Sequence, residues 1–250
     1  MIWPFSRRRT PPPPLDPVLL QQAGAPLPWL RRLDAADRQR LHTLAARFLH
    51  EKTITPVQGL RLNDVQRIRL ALLCCLPLLK FGGEGLYGWH ELVVYPGAFR
   101  ARRSHLDANG ILHEGEQELI GEAWMHGPLI LSWADVRADI AAPTDGYCVV
   151  AHEMAHKLDA LDGVMDGTPP LPRAWQRQWA DDFQRAYDAL CAQVDAGDAS
   201  PIDPYASESP EEFFAVCSEY HFSDPVTLRQ AMPAVADHLE RFYGPPLLVI

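Results

Sequence analysis

The run Val149-Val-Ala-His152-Glu153-Met-Ala-His156-Lys-Leu-Asp159 carries H-E-x-x-H inside a segment whose apolar residues fall at helical spacing. Residues four apart on a helix share one face, so His152 and His156 can grip a single ion. Two neutral imidazoles suit zinc. Glu153, next to the first of them, is placed to take a proton from a metal-activated water and pass it to a leaving amine. With ten His and thirteen Glu in 250 residues, independent placement yields roughly 0.02 such matches per chain. The bland alternative, a surface helix with two unrelated histidines, sits badly with Val149, Val150, Ala151, Met154, Ala155 and Leu158. Those residues imply a buried helix whose polar groups need partners.

A catalytic zinc takes a third protein ligand and leaves its fourth position to water. Two candidates compete. Asp162 stands where the third histidine falls in H-E-x-x-H-x-x-G-x-x-H. Asp159, however, replaces the turn glycine of that pattern, and Gly163 comes too late to bend the chain back. The other candidate is Glu212 in Ser209-Pro-Glu-Glu-Phe-Phe-Ala-Val-Cys-Ser-Glu-Tyr220, where a carboxylate from a second helix would complete a His, His, Glu site. It is favoured over Glu211 because it shares a helical face with Val216 and Glu219. Asp159, Asp162 and Asp166 otherwise read as a helix stop followed by acidic turns, with Asp159 also a candidate to orient His156. A closed, purely structural zinc site would need a fourth ligand, for which Cys148, one turn before His152, is the obvious choice.

Outward from this segment the chain reads as α+β and predominantly helical. Apolar residues recur at helical spacing from Pro28 to His50 and from Asn63 to Leu79, then again over about Ala134–Ile140, Asp145–Ala160 and Arg173–Val194. Ser209 can cap a helix that Pro210 opens and that runs to about Phe222, and a last helix or pair lies between Pro225 and Tyr243. Glu91–Tyr95 and Pro128–Trp133 are short β-rich runs bounded by turn residues, which predicts a small mixed sheet. Residues 1–16, with four consecutive prolines from Pro11, read as a flexible tail. A single domain is expected over residues 17–250, its helical part over about 17–85 and its catalytic part over about 86–250.

The formal net charge of −9 argues against direct nucleic-acid binding, and the basic clusters Arg7-Arg8-Arg9 and Arg100 with Arg102-Arg103 are too short to reverse that field. Cys74, Cys75, Cys148, Cys191 and Cys217 form no C-x-x-C pair, and their odd number fits reduced thiols. No signal-peptide core follows the N-terminal arginines, and the longest apolar run, Leu70–Leu79, is half the length of a membrane span. The expectation is a cytoplasmic protein without a membrane segment.

The segments Val94-Tyr-Pro-Gly97, Gly121-Glu-Ala-Trp124, Gly127–Trp133 with Asp135-Val136, His152–Asp159, Asp203-Pro-Tyr205-Ala206 and Glu212–Tyr220 together resemble the Mlc titration factor A family of zinc peptidases. That family is in turn similar to the protease domain of anthrax lethal factor. The resemblance covers nearly the whole chain beyond the tail and implies a zincin-like fold holding one zinc ion per chain. It implies His152, His156 and Glu212 as ligands, Glu153 as general base, and a role for Tyr205, whose phenol can stabilise an oxyanion beside a metal. Lethal factor has an acidic residue four positions after its glutamate ligand; this chain has Val216 there and its next carboxylate at Glu219. The resemblance further implies aminopeptidase-like hydrolysis of peptides laid along the Pro128–Trp133 edge strand, with Glu122 a candidate for binding the free substrate amine. The competing implication is sequestration of a transcriptional repressor of the Mlc type, with hydrolysis secondary.

Overall fold

In the computed structural model, which describes residues 12–97 and 127–248, Asp16 accepts the Val18 and Leu19 amides and opens helix α1 (Pro17–Gly24). The basic clusters, the Gly121–Trp124 segment with Glu122, and the first eleven residues of the expected tail lie outside the described residues. After a 3-10 turn at Pro28–Arg31, Asp34 caps α2 (Ala35–Glu51), which buries Leu41, Leu44, Ala45 and Phe48 on one face. Helix α3 (Asp64–Cys75) starts from a reciprocal capping box between Asn63 and Gln66, which satisfies two amides that a helix start would otherwise leave unpaired. Helix α1 itself is absent from the expectations above, because it is short and only Ala23 of it is buried.

Three strands, β1 (Thr53–Pro56), β2 (Glu91–Tyr95) and β3 (Leu129–Ser132), lie in that order in one sheet. Among the described residues both pairings are parallel, with Ile54 opposite Leu92 and Leu92 opposite Leu129, which corrects the expected mixed sheet. Strand β1 was not anticipated: it has four residues and one large apolar side chain, too little to announce a period of two. Once β1 exists, α3 becomes the crossover that a parallel β1–β2 pair requires.

Ser132 ends β3 and caps α4 (Trp133–Ala141) through its hydroxyl. Then follow α5 (Val149–Asp159), which carries the H-E-x-x-H residues, α6 (Arg173–Asp195), α7 (Pro210–Phe222), α8 (Pro225–Ala231) and α9 (Pro233–Tyr243). Helix α5 packs along α7 and against α3, α4 and β3, so its two ends and one flank are all within reach of other elements. A tether not foreseen in the sequence is Lys157, whose ammonium, though buried, donates to the Gly127 carbonyl at 2.9 Å and fixes the foot of β3 to the helix.

The core is continuous from the N-terminal helices to the last one. Trp29 donates its indole N–H to the Phe222 carbonyl at 2.6 Å, joining the first part of the chain to the end of α7. Behind α7, Trp175, Trp179, Phe183, Phe214 and Phe242 form an aromatic cluster, with Trp179 and Phe183 stacked at 4.0 Å. Packing of this kind holds a helix to fractions of an ångström, the precision a metal site needs. No helix among the described residues is long and apolar enough to cross a membrane.

Candidate metal centre

Helix α5 turns His152 and His156 to one side, with their Nε2 atoms 3.1 Å apart. Helix α7 brings Glu212 to the same place, its Oε2 lying 3.1 Å from His152 Nε2 and 3.6 Å from His156 Nε2. Glu212 sits in the first turn of α7, opened by Pro210 and capped by Ser209, whose hydroxyl accepts the Glu212 amide at 3.3 Å. Among the described residues these three form the one group of histidine, cysteine and carboxylate donors that converges enough to hold a metal ion.

An ion bound tetrahedrally at about 2.0–2.1 Å keeps its ligand atoms about 3.3 Å from one another. The three observed separations bracket that value. Glu212 Oε2 is buried with no aligned hydrogen-bond partner, and His156 Nδ1 is likewise buried and unpartnered. Two imidazole nitrogens and a carboxylate oxygen facing one another in this way fit a divalent cation better than they fit one another.

The second face of His152 explains how its ring is aimed. Its Nδ1 lies 2.7 Å from Glu219 Oε1; a carboxylate accepts, so Nδ1–H donates to Glu219 and Nε2 is the nitrogen turned toward His156 and Glu212. Glu219 Oε2 accepts the Cys148 amide at 2.8 Å, and Asp139 Oδ2 accepts the Val149 amide at 2.8 Å. Two acidic side chains from other elements thus take up two amides at the N-terminus of α5, which has no side-chain cap of its own. The oxygens of Glu219 are both used, and the residue is 4% exposed.

These charges act on the histidines. Burial disfavours the His152 imidazolium, yet the Glu219 carboxylate, with Glu212 and Glu153 beside it, holds the His152 pKa up at about 10. Burial alone would raise the Glu212 carboxyl, but His152 and His156 beside it keep it well below the usual carboxylate range. A cation entering this site therefore displaces a proton, and its binding weakens in acid.

Glu153 is half-buried beside His152, close enough to influence both His152 and Lys157 electrostatically. The Tyr205 ring stands 6.3 Å from the His152 ring, on the 3-10 turn Pro204–Ser207 that precedes α7. The other candidates lie elsewhere. Asp162 is exposed and accepts the Val164 amide at 3.2 Å in the turn after α5, and neither Glu211 nor Cys148 joins the converging group. Asp159, fully buried, accepts the Gly167 amide at 2.8 Å; the structure gives no hydrogen bond from it to His156, so it braces the following loop instead. Glu219 is the residue whose role the sequence left open. Its signal was there: seven residues after Glu212 it falls on the same face of a buried helix, and a buried carboxylate needs donors.

A family model described as glucose-regulated metallo-peptidase M90 matches residues 3–244. The chain belongs to that family. Mlc titration factor A of Escherichia fergusonii is 37% identical over 253 residues, which cover 98% of this chain and 92% of that relative. The proteins of the same name from Serratia proteamaculans and Pectobacterium atrosepticum are each 36% identical, covering 96% of this chain and 91% and 90% of their own lengths. Membership of the M90 family makes this a metallopeptidase and implies a metal ion, and the His152, His156 and Glu212 cluster is where the described residues could hold it.

Proposed function

We propose that the protein is a zinc-dependent peptidase of zincin-like architecture, with His152, His156 and Glu212 as the zinc ligands. The observation that carries this is the convergence of two Nε2 atoms and one carboxylate oxygen at 3.1–3.6 Å, backed by Glu219 on His152. Two imidazoles and one carboxylate are the donor set of a catalytic zinc with an open fourth position. When bound, zinc polarises a peptide carbonyl and makes water acidic enough to be a nucleophile near neutral pH.

Glu153 takes the proton of the attacking water and returns it to the departing amine. Tyr205 offers its phenol hydrogen to the oxygen on which charge develops. His152, held by Glu219 through Nδ1–H, presents Nε2 to the ion. Strand β3, bonded to β2 on one side among the described residues, is the edge along which an extended peptide adds its own backbone. The preference is for peptides with a free N-terminus.

Glu153→Gln tests the chemistry. The variant keeps a full complement of zinc and loses about 10²–10⁴ in turnover, measured with a panel of free and N-blocked peptide amides; undiminished turnover would sink the mechanism. A second reading is favoured by the name of the relatives, Mlc titration factor A: binding of an Mlc-type repressor, with hydrolysis secondary. The same variant separates the two, because sequestration survives Glu153→Gln and proteolysis does not.

A further inference from the structure

The turn that carries Tyr205 belongs to neither helix that brings the metal-binding atoms together, so its position must be set by contacts. Asp203 supplies several of them. Its Oδ1 accepts the Tyr205 amide at 2.9 Å and its carbonyl accepts the Ala206 amide at 3.0 Å. Its own amide donates to the Tyr220 hydroxyl at 3.2 Å, and that hydroxyl donates to the Pro201 carbonyl at 3.2 Å. The Tyr147 hydroxyl reaches Asp203 Oδ2 at 3.5 Å.

The partners come from α7 and from the segment that leads directly into α5. Tyr220 lies on α7, the residue after Glu219, and Tyr147 is two residues ahead of α5. On the far side, Ser207 at the end of the turn is held by α6, whose Tyr187 hydroxyl donates to the Ser207 carbonyl at 3.1 Å. A cap for a four-residue turn explains the Oδ1 bond alone. It does not explain why the second oxygen and the backbone amide of the same residue meet one tyrosine from α7 and one from the segment that leads into α5.

We infer that Asp203 is a positioning residue for Tyr205: with Tyr147 and Tyr220 it ties the Tyr205 turn to α5 and α7 together, so that the phenol keeps its place relative to the metal-binding atoms. This rests on the reading of Tyr205 as the group that meets the developing oxyanion. An oxyanion donor acts only when pre-set within a few tenths of an ångström, so loosening the turn reduces turnover and leaves metal and substrate binding in place.

The test is a kinetic double-mutant cycle on the full-length, zinc-loaded protein, using the best-cleaved member of the peptide panel. Tyr205→Phe lowers kcat by about 10²-fold, the usual loss of one oxyanion donor. Asp203→Ala lowers kcat by about 10- to 100-fold with KM within about twofold and zinc content unchanged, while Asp203→Asn, which keeps an oxygen for the Tyr205 amide, retains most of the activity. Asp203→Ala added to Tyr205→Phe costs nothing further.

Losses that multiply in the double variant, or Asp203→Asn as slow as Asp203→Ala, overturn the inference while leaving the Tyr205 reading intact. Full kcat in Tyr205→Phe overturns that reading, and with it the inference. Should Asp203→Ala fail to fold, Tyr147→Phe takes its place, since it removes one hydroxyl from a side chain that is 55% exposed. A kcat reduced about two- to fivefold in the parent and unchanged in the Tyr205→Phe background supports the tie; equal kcat in the parent overturns it.

Discussion

Gly167 offers a perturbation whose size can be worked from the structure. It has φ +79°, and a Cβ built there would lie 2.4 Å from the Pro210 carbonyl oxygen and 2.9 Å from the Pro210 carbonyl carbon. Both neighbours are backbone of the first turn of α7, two residues before Glu212. Alanine in the left-handed region costs about 1–2 kcal/mol. Forcing the helix start to move by several tenths of an ångström in a packed interior adds about 1–3 kcal/mol. Gly163 supplies the control: it has φ +94° but nothing within 4 Å of the added atom, so Gly163→Ala incurs the conformational cost without the clash.

Melting curves of the two variants then differ by about 1–3 kcal/mol, or about 2–12 °C for a domain of this size. The clash also moves the segment that delivers Glu212, so the rise in melting temperature on adding zinc shrinks in Gly167→Ala and is kept in Gly163→Ala. If the two variants melt within about 1 °C of each other, the contact between the post-helix loop and the start of α7 does not position the third donor, and the explanation of how Glu212 is placed fails.

Other perturbations probe the carboxylates around α5. Glu219→Gln has one oxygen for the two donors, His152 Nδ1–H and Cys148 N–H, that Glu219 accepts at 2.7 and 2.8 Å; one is left unpaired, which lowers unfolding stability by about 1–3 kcal/mol in chemical denaturation, and an unchanged midpoint would contradict the geometry. Asp159 is fully buried at the C-terminal end of α5, and burial raises its pKa from 3.8 to about 7. Between those values the native state holds a proton that the unfolded chain has released, so this residue's contribution is present in acid and lost as pH rises from about 4 to about 7. Asp159→Asn, which keeps the oxygen for the Gly167 amide, therefore gains stability relative to the parent between pH 5 and pH 8; a constant difference would show that Asp159 ionises freely.

How much of this could be read in advance depended on whether a residue's partner was local. His152, Glu153 and His156 were legible because one helical period fixes their relation. Ser209 and Pro210 likewise announced where α7 begins, which placed Glu212 in its first turn. The parallel sheet was not legible, since β1 has four residues and its pairing depends on the α3 crossover rather than on any pattern of its own. Nor were the roles of Lys157 and Asp139, each of which meets a backbone group some tens of residues away or across an irregular loop.

Glu219 shows why the undetermined part matters for function. A spacing rule carried over from the resemblance to lethal factor looks for an acidic residue four places after Glu212 and finds Val216. The structure instead uses seven places, which on an α-helix returns to nearly the same face two turns along. Glu212 approaches His152 at Nε2 while Glu219 approaches it at Nδ1, so one helix addresses both nitrogens of one imidazole. Because Glu219 also holds the amide of Cys148, the tautomer of His152 and the start of its helix are set by a single side chain. Any movement of α7 relative to α5 then alters three things at once: the third donor, the proton on Nδ1, and the end of the helix that carries both histidines. The proposed metal site is for this reason a property of the α5–α7 interface, and the H-E-x-x-H helix supplies only half of it.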